Sequence, residues 1–519
     1  MQLIKERCTG CGYCILVCPY DALKSDGWAE VIPQNCTDCN LCVYACPNDC
    51  FMPEPDAPLK PYTPRLRPDY DVTIIGSGIG GLMAGAALAR AGHSVAVFEK
   101  LGFPGGRYTE LDYKGAAVTT GAWTNLGPNS HIGRFLQDLG IELEYASLEE
   151  AGLTDQYALR FPDGRHYSSL FDLLSPQARK AWLKAILAGK RALARPGRAR
   201  PGPAEPDRAE ALAATSTADF MAEFCTEPDL LAAVDAIAAT ISGLSSRDLP
   251  AGEYIQITLD TRTAGMQFAM PVGGIRAIIK ALTRTLRQAG GQLFLRSPVE
   301  AILTGPVNGP GSGGYSACGL RLADGREVRS RVVLHNGGPR QLVRLVGETQ
   351  LPRTYLETLA ALKGVDCAAL FGATREPLFS DAPILMTPNC RRVVGIFGPT
   401  LLDPGLARDG LHLFDAFFPV YDDDRSAELG RVLADLRALF PNFDETVVWT
   451  VPMFFTGAWP GAESGQTFGQ TGEQRLDTVT PVENCFLVGM DLKGSGVAGD
   501  LIPLGVRQAL ARVEAVLAG

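Results

Sequence analysis

The sequence predicts an α/β (α+β) protein with two unequal parts. A small cysteine-rich domain comes first, and a Rossmann-type dinucleotide-binding domain interleaved with a mixed sheet and helical domain follows. Nine of the 14 cysteines fall within the first 50 residues. Six prolines crowd residues 51–68. A glycine-rich turn between two apolar runs then occupies residues 71–98, as expected for a βαβ unit.

Composition limits the functions open to the chain. Its 519 residues, 46% hydrophobic and 20% charged, suffice for about two to four domains with sizeable cores. A net charge of −9 argues against a nucleic-acid partner. The first seven residues lack the apolar core of a secretory signal, and no apolar run approaches the length of about 18 that a membrane span needs. We therefore expect a cytoplasmic protein with no transmembrane segment, and leave a peripheral membrane contact and the oligomeric state open.

Two copies of one cysteine pattern lie at the N-terminus. Residues 8–19 and 36–47 both read C-x2-C-x2-C-x3-C-P. This is the run with which bacterial ferredoxins hold [4Fe–4S] clusters. Three cysteines of one loop reach three irons, and the fourth, before proline, binds the other cluster. The sequence thus predicts a two-cluster ferredoxin domain over residues 1–50. The predicted ligands are Cys8, Cys11, Cys14 and Cys46 for one cluster and Cys18, Cys36, Cys39 and Cys42 for the other.

Zinc and disulfides are the alternatives for these cysteines. Zinc takes four ligands per ion and leaves the third cysteine of each run and the Cys-Pro pair unexplained. Nothing in the sequence indicates an oxidising compartment, so a disulfide framework is not favoured. Cys50 lies outside the pattern and is expected to be structural. The remaining five cysteines are scattered singly, which is typical of small buried hydrophobes.

The proline-rich segment at 51–68 separates this domain from the rest of the chain. Its prolines exclude helix and sheet interior and favour a semi-rigid, extended tether. A stiff tether limits how far the clusters can swing. We therefore expect the cysteine-rich domain to be docked on its electron partner, with a plain spacer as the alternative.

The βαβ unit carries a dinucleotide fingerprint, G-x-G-x-x-G followed by an acid. Gly76 permits the tight turn, Gly78 lets the pyrophosphate approach the backbone, and Gly81 lets the helix pack against the strand. Glu99 ends the second strand, where an acid accepts hydrogen bonds from a ribose. The helix N-terminus then faces the phosphates. These features together predict a bound dinucleotide.

Directly after this acid, residues 100–107 read KLGFPGGR. The stretch resembles the second glycine motif of flavoproteins of the phytoene desaturase, carotenoid isomerase, retinol saturase and amine oxidase superfamily. In that superfamily the double glycine and the arginine lie along FAD. The resemblance therefore implies FAD as the dinucleotide, with contacts from Lys100, Gly106 and Arg107. Arg107 would offset charge on the pyrophosphate or the reduced ring.

Further landmarks of the superfamily follow in order. Residues 299–302 resemble the strand whose valine meets the adenine, and residues 481–500 resemble the closing strand, the loop beside the flavin and the start of the last helix. Residues 268–275, 322–328 and 331–336 also match. The implied FAD contacts are Val299, Gly489, Asp491, Gly499 and Asp500. Asp500 has an alternative role, to complement the dipole of that helix.

The resemblance covers residues 69–519 and implies an interleaved domain order. The expected FAD-binding segments are 69–130, 266–345 and 476–519. The expected substrate segments are 131–265, mostly helical, and 346–475, which alternates strands and helices. Residues 195–206, rich in Pro, Gly and Arg, are expected to form a solvated insertion, with a basic arm facing a membrane or partner as the alternative.

No catalytic acid or base stands out in the sequence. His335 lies beside a family landmark and is a candidate near FAD, with a buried core histidine as the alternative. Lys493 stands where carotenoid enzymes frequently have proline. A charge there argues against a long polyene substrate and suits a polar or anionic substrate group, or solvent.

A flavin and iron–sulfur clusters on one chain predict conversion between hydride chemistry and single-electron transfer. The first hypothesis is an enzyme that desaturates, saturates or isomerises a carbon–carbon bond in a small apolar substrate. The second is an electron-transfer subunit that serves a partner redox protein, such as a molybdenum- or tungsten-dependent enzyme, or NAD. The third is an amine oxidase-like enzyme, although oxygen as acceptor would leave the clusters without a task.

Overall fold

The computed structural model describes residues 1–52, 65–121, 127–194, 208–263, 269–307 and 314–519. Most of the proline-rich segment and the loop at 195–206 lie outside the described residues, so the predictions made for them stay predictions.

The cysteine-rich N-terminal part folds as a small unit with two similar halves. Its elements are β1 (Gln2–Leu3), α1 (Tyr13–Leu16), β2 (Leu23–Ser25), β3 (Ala29–Val31), α2 (Leu41–Ala45) and β4 (Phe51–Met52). Strands β1 and β4 pair antiparallel and bring the two ends of the unit together, while β2 and β3 form a hairpin. Each helix follows a residue in the left-handed conformation, Gly12 or Asn40. The same left-handed turn therefore starts the short helix within each cysteine run.

The rest of the chain alternates strands and helices. Residues 65–121 form β5 (Asp69–Ile75), α3 (Ile79–Arg90), β6 (Val95–Phe98), β7 (Glu110–Tyr113) and β8 (Ala116–Thr119). Residues 127–263 form α4 (His131–Asp138), β9 (Tyr145–Ser147), β10 (Tyr157–Arg160), β11 (His166–Tyr167), α5 (Leu170–Leu173), α6 (Pro176–Leu193), α7 (Arg208–Ala214), α8 (Thr217–Ala222), α9 (Pro228–Ser242) and α10 (Ala251–Thr263).

The C-terminal half completes both large sheets. Its elements are β12 (Ala269–Pro271), α11 (Arg276–Gln288), β13 (Gln292–Phe294), β14 (Val299–Pro306), β15 (Tyr315–Leu322), β16 (Glu327–His335), α12 (Pro339–Val346), α13 (Arg353–Ala361), β17 (Cys367–Thr374), β18 (Ile384–Met386), β19 (Gly395–Phe397), β20 (His412–Pro419), α14 (Arg425–Leu439), α15 (Phe443–Thr446), β21 (Val447–Phe455), β22 (Val482–Glu483), β23 (Cys485–Leu487) and α16 (Ile502–Ala518).

A Rossmann-type sheet forms the first core. Its strand order is β13-β6-β5-β16-β15-β14, with β23 beside β16 and β22 beside β15. Strands β13, β6, β5, β16 and β23 run parallel. Helices α3, α11 and α16 bury their apolar sides against one face of this sheet. The fold class predicted from the sequence is confirmed by this sheet and the small N-terminal unit.

A second sheet of seven strands has the order β11-β10-β18-β19-β20-β17-β21. Helix α14 packs its apolar residues on one face of the central strands. The opposite face meets the N-terminal unit at β21 and contributes to the helical core formed by α6 to α10. Among the described residues, none of the helices combines the length and apolar character that crossing a bilayer requires.

Candidate flavin and iron–sulfur sites

A cavity of about 610 Å³ lies at the carboxyl ends of the parallel strands β5, β6 and β16. Ligand cavities in proteins measure about 300–1,000 Å³, and in α/β folds they lie at this edge of the sheet. We call it the flavin cavity. Its wall contains ten of the residues predicted to bind FAD, which are Gly76, Gly78, Glu99, Lys100, Gly106, Arg107, Val299, Gly489, Asp491 and Gly499.

The glycine turn has the geometry that a bound pyrophosphate needs. Gly76 has a φ of +91°, which favours glycine. Helix α3 begins after Gly78 without a side-chain cap, so its first amides are free to bind an anion. Gly81 does not line the cavity. A Cβ there would lie 2.1 Å from the carbonyl oxygen of Gly76, so this glycine allows the close contact of helix and turn.

Glu99 is buried and held in place at the cavity wall. One carboxylate oxygen accepts hydrogen bonds from the amide (2.7 Å) and hydroxyl (2.9 Å) of Ser77, and the other accepts one from the amide of Leu101 (2.9 Å). An ionised carboxylate has about four acceptor positions, so capacity is left for a ribose hydroxyl. The donor set of the cavity therefore fits FAD.

His335 lines the flavin cavity and is completely buried. Its Nε2 lies 3.2 Å from the carbonyl oxygen of Gly338, and its Nδ1 has no partner among the described residues. Burial lowers the pKa of His335 to about 4, so the ring is neutral at pH 7. A neutral buried ring fits the alternative of a core histidine.

The structure corrects two sequence predictions. The carboxylate of Asp500 accepts the amides of His131 (3.0 Å) and Ile132 (2.9 Å), the first residues of α4, and does not line the flavin cavity. Its role is therefore that of a helix cap. Lys493 also lies off the cavity wall and pairs with Asp477 (2.9 Å). It has no contact that a catalytic group would need.

The wall also holds charged residues that the sequence did not single out. Glu463 accepts the amide of Arg340 (2.7 Å), and burial raises the pKa of this carboxyl. Arg475 is buried and donates to the carbonyl oxygens of Met490 and Leu492, and burial lowers its pKa. Both lie in residues 456–475, where neither periodicity nor a glycine motif gives a signal.

Two smaller cavities in the N-terminal unit are lined by cysteines. The inner cavity is bordered by Cys8, Cys11, Cys14 and Cys46, together with Cys50. The outer cavity is bordered by Cys18, Cys36, Cys39 and Cys42. Each cavity thus holds one of the two predicted ligand sets. Within the described residues no three His, Cys, Asp or Glu side chains converge on one metal-ion position, whereas the thiolates of a cubane bind four different irons.

Backbone amides point at the cysteine sulfurs. The amides of Gly10 (3.4 Å) and Ala29 (3.5 Å) donate to Cys8 Sγ, and that of Cys50 donates to Cys46 Sγ (3.3 Å). A hydrogen bond from the Cys50 thiol to either sulfur lowers the pKa of Cys8 or of Cys46 below that of an ordinary thiol. Such bonds favour the thiolate form that binds metal.

Burial favours the protonated form of the other inner thiols. Burial raises the pKa of Cys11 to about 12 and that of Cys14 well above its usual range. A bound cluster would deprotonate them, because coordination to iron stabilises the thiolate. The donor set and the amide contacts therefore fit a [4Fe–4S] group.

The N-terminal unit is docked on both other parts of the chain. The amide of Gly102 donates to the carbonyl oxygen of Tyr44 (2.7 Å), and Lys100 Nζ donates to that of Pro47. On the second sheet, the amide of Phe454 donates to the carbonyl oxygen of Gly10 (2.9 Å). The docking that the stiff tether suggested is therefore present.

Tyr13 links the cysteine loop of the inner cavity to the wall of the flavin cavity. It stands between Cys11 and Cys14 in the chain and is fully buried. Its hydroxyl donates to the carbonyl oxygen of Thr120 and lies 3.4 Å from that of Gly106, on the cavity wall. Its ring centroid lies 6.4 Å from that of Trp459, another wall residue. The loop that lines the inner cavity with Cys11 and Cys14 therefore also places a side chain against the wall of the flavin cavity.

Arg425 brings a buried positive charge to the inner cavity. Its guanidinium lies 3.8 Å from the ring centroid of Trp28, and it donates to Thr456 Oγ1 (2.7 Å) and the carbonyl oxygen of Gly27 (3.4 Å). A Cβ on Gly10, in the loop of Cys8 and Cys11, would lie 3.0 Å from this guanidinium. Among the described residues, no carboxylate forms an ion pair with it.

These features define the class of protein: a flavin-dependent oxidoreductase that also carries iron–sulfur binding motifs. The Rossmann sheet ends in a cavity with a phosphate-binding turn, and cysteine-lined cavities lie beside it.

The chain belongs to the flavin-containing amine oxidoreductase family, whose model matches residues 79–509. Models of 4Fe–4S binding domains match residues 1–24 and 33–49.

Its relatives include carotenoid enzymes. An uncharacterized protein of Methanocaldococcus jannaschii is 26% identical, over 84% of this chain and 97% of its own. Prolycopene isomerase 2 of an Oncidium hybrid cultivar is 24% identical, over 73% and 71%. Phytoene desaturase of Cercospora nicotianae is 26% identical, over 51% and 44%.

A crystal structure of an oxidoreductase from Methanosarcina mazei has the same fold. Its TM-score is 0.72 at 24% identity, covering 85% of this chain and 99% of that one.

Proposed function

We propose that this chain holds FAD and two [4Fe–4S] clusters and desaturates, saturates or isomerises a carbon–carbon bond in an apolar substrate. When bound, FAD supplies hydride exchange with organic substrates and the clusters supply single-electron exchange. The observation that carries the proposal is the position of Tyr13, which stands between the inner-cavity residues Cys11 and Cys14 in the chain and lies against Gly106 and Trp459 of the flavin cavity.

Different residues of the chain bind different parts of FAD. The free amides at the start of α3 hold the pyrophosphate, and Glu99 holds the ribose. Arg107 donates to the carbonyl oxygens of Pro460 and Gly461, and its guanidinium lies 5.3 Å from the ring centroid of Trp459. It therefore keeps a positive charge beside the cavity. The segments proposed to bind FAD are the ones that the sequence predicts, 69–130, 266–345 and 476–519.

The two cysteine cavities have different surroundings. In the inner cavity Cys11, Cys14 and Cys46 are buried, whereas the outer cysteines are partly exposed. The cluster held by the inner ligand set therefore exchanges electrons with the flavin, and the cluster held by the outer set exchanges electrons with a partner protein in solution. This exposure also supports the second candidate function, an electron-transfer subunit of a larger redox complex.

The relatives support an apolar substrate. Those named above include a prolycopene isomerase and a phytoene desaturase. The argument from Lys493 against a polyene loses its basis, because that side chain pairs with Asp477 outside the cavity wall.

The test begins with anaerobic reconstitution of the full chain. We expect about eight irons and one FAD per chain. Dithionite titration should then reduce both the flavin and the clusters. Optical and electron paramagnetic resonance spectra monitor this reduction. Mixing the reduced protein with phytoene or prolycopene in liposomes should reoxidise the flavin or yield an isomer.

Each outcome of this experiment has a distinct meaning. About four irons or fewer, or no bound FAD, would refute the cofactor assignment. Full cofactor content without any reaction with apolar alkenes, but with fast electron exchange with a copurified metalloenzyme, would favour the second candidate function.

A further inference from the structure

Asp49 of the N-terminal unit stands on the wall of the flavin cavity. It borders the cavity together with Lys100 and Leu101. These two residues directly follow Glu99, which is placed to bind the ribose of FAD. Asp49 therefore lies at the end of the cavity that fits the adenosine half of FAD, although it belongs to the iron–sulfur part of the chain.

Contacts on both sides keep Asp49 at this wall. Within the N-terminal unit, the guanidinium of Arg7 donates to the carbonyl oxygen of Asp49 (3.2 Å). Across the interface, the guanidinium of Arg296 lies 4.5 Å from the ring centroid of Tyr44, and the amide of Arg296 donates to the carbonyl oxygen of Leu101 (3.0 Å). With the two docking hydrogen bonds given above, the unit is fixed to the segment that follows Glu99.

The two cysteine runs provide an internal comparison. Asp21 and Asp49 occupy equivalent positions, three residues after the fourth cysteine of each run. Their backbones are alike, with φ of 49° and 51°. Asp21 pairs with Lys114 (3.2 Å) and lies off the wall of the flavin cavity, whereas Asp49 lies on it. The repeat therefore supplies the same acid twice, and docking brings the second copy to the cofactor site.

The position of Asp49 depends on the inner cysteine cavity. Asp49 lies in the chain between Cys46, a predicted ligand, and Cys50, whose amide donates to Cys46 Sγ (3.3 Å). Its neighbour Asn48 donates to Thr9 Oγ1 (2.8 Å), in the first cysteine run. Metal binding is coupled to the folding of the segment that carries the ligands. A bound inner cluster should therefore hold Asp49 in place at the flavin cavity.

We propose that the N-terminal unit is part of the FAD site. Asp49 accepts a hydrogen bond from the adenosine of FAD, and the binding of the inner cluster and the binding of FAD strengthen each other through this contact. Adenosine offers ribose hydroxyls and an amino group as donors, and a carboxylate accepts from either. Coupling between two binding sites is reciprocal, so each cofactor increases the affinity for the other. The inference rests on the proposed function for its cofactors and does not depend on the substrate.

Two variants of the full chain form a matched pair. Asp49→Gly removes the acid at the cavity, and Asp21→Gly removes its counterpart in the other repeat. Both backbones are left-handed, a conformation that glycine adopts without strain, so each variant loses a carboxylate and keeps its turn. Melting temperatures and iron contents of the two variants are compared with those of the wild type.

The first readout is equilibrium titration with FAD, monitored by flavin fluorescence, before and after anaerobic loading of the clusters. A hydrogen bond to a charged group contributes about 10- to 100-fold to affinity, and the lower end applies because Asp49 is exposed. In the loaded form Asp49→Gly should bind FAD about tenfold more weakly than wild type, and Asp21→Gly should bind it equally well. Cluster loading should tighten FAD binding in wild type and in Asp21→Gly.

The second readout is iron retention. FAD at saturating concentration should slow the removal of iron by a chelator in wild type and in Asp21→Gly, and should slow it much less in Asp49→Gly. Equal FAD affinities of loaded wild type and Asp49→Gly, or iron loss that FAD slows equally in both, would overturn the inference while leaving the proposed function intact. A loaded wild-type chain that binds no FAD would instead refute the proposed function itself.

Discussion

Removing the aromatic ring of Tyr13 should slow electron transfer between the inner iron–sulfur site and the flavin without removing either cofactor. Tyr13→Phe deletes only the hydroxyl that donates to Thr120 and lies 3.4 Å from the carbonyl oxygen of Gly106. The loss of a buried hydrogen bond with one partner left unpaired costs about 1–3 kcal/mol. The ring contacts at 5.9 Å to Phe103 and 6.4 Å to Trp459 stay in place.

Tyr13→Ala removes the ring as well. Truncation of a fully buried aromatic side chain costs about 3–5 kcal/mol and leaves a cavity between the two sites. We therefore expect Tyr13→Phe to keep most of the electron-transfer rate and Tyr13→Ala to slow it markedly.

The assay is flash photoreduction of the reconstituted chain, which follows the flavin and cluster absorbances after a single electron is injected. Iron and FAD contents are measured on the same samples, and denaturant unfolding reports the loss of stability. Tyr421→Ala is the control, since Tyr421 is 63% exposed in the connection between β20 and α14. If Tyr13→Ala retained both cofactors and transferred electrons at the wild-type rate, the assignment of Tyr13 as the contact between the sites would be refuted.

Three further predictions concern single positions. Arg425→Gln should shift the reduction potential of the inner cluster to more negative values, because a buried cation beside the anionic thiolates is lost, and Arg425→Lys should shift it less. The measurement is a redox titration monitored by electron paramagnetic resonance. Equal potentials in the wild type and both variants would contradict this. Gly81→Ala should abolish FAD binding, since its Cβ would meet the carbonyl oxygen of Gly76 at 2.1 Å, whereas Gly430→Ala, with open space around it, should bind FAD normally in fluorescence titrations. Acidification from pH 6.5 towards pH 4 should lower the free energy of unfolding by about 3 kcal/mol through His335. The pKa of this histidine is about 4 in the folded state and lies below that of the unfolded chain, so the stability it contributes is present above pH 6.5 and is lost on acidification. A His335→Gln variant with the same pH dependence of unfolding would exclude this origin.

Local motifs made much of the flavin cavity predictable. The strand, turn and helix around Gly76 and Gly78 lie where the fingerprint predicts them, since a tight turn with a free helix end depends on residues that are neighbours in sequence. Of the twelve predicted FAD contacts, only Gly81 and Asp500 lie off the cavity wall. Asp500 was assigned by its place in a motif, and the motif could not reveal that α4 needs an N-terminal acceptor.

Residues joined only by folding escaped prediction. Tyr13 and Gly106 are 93 positions apart, and Arg425 reaches a carbonyl 398 positions away. No spacing rule connects such pairs, because their contact follows from how three parts of the chain pack.

The sequence by itself determined the cofactor chemistry that the chain can support. Cysteine spacing and glycine turns act within a single loop, so they carry their meaning without the rest of the molecule. The tertiary structure alone decided which cysteine loop lies against the flavin cavity and which side chain that loop places at its wall. Those relations depend on long-range packing of apolar faces, in which each contact is set by many residues at once.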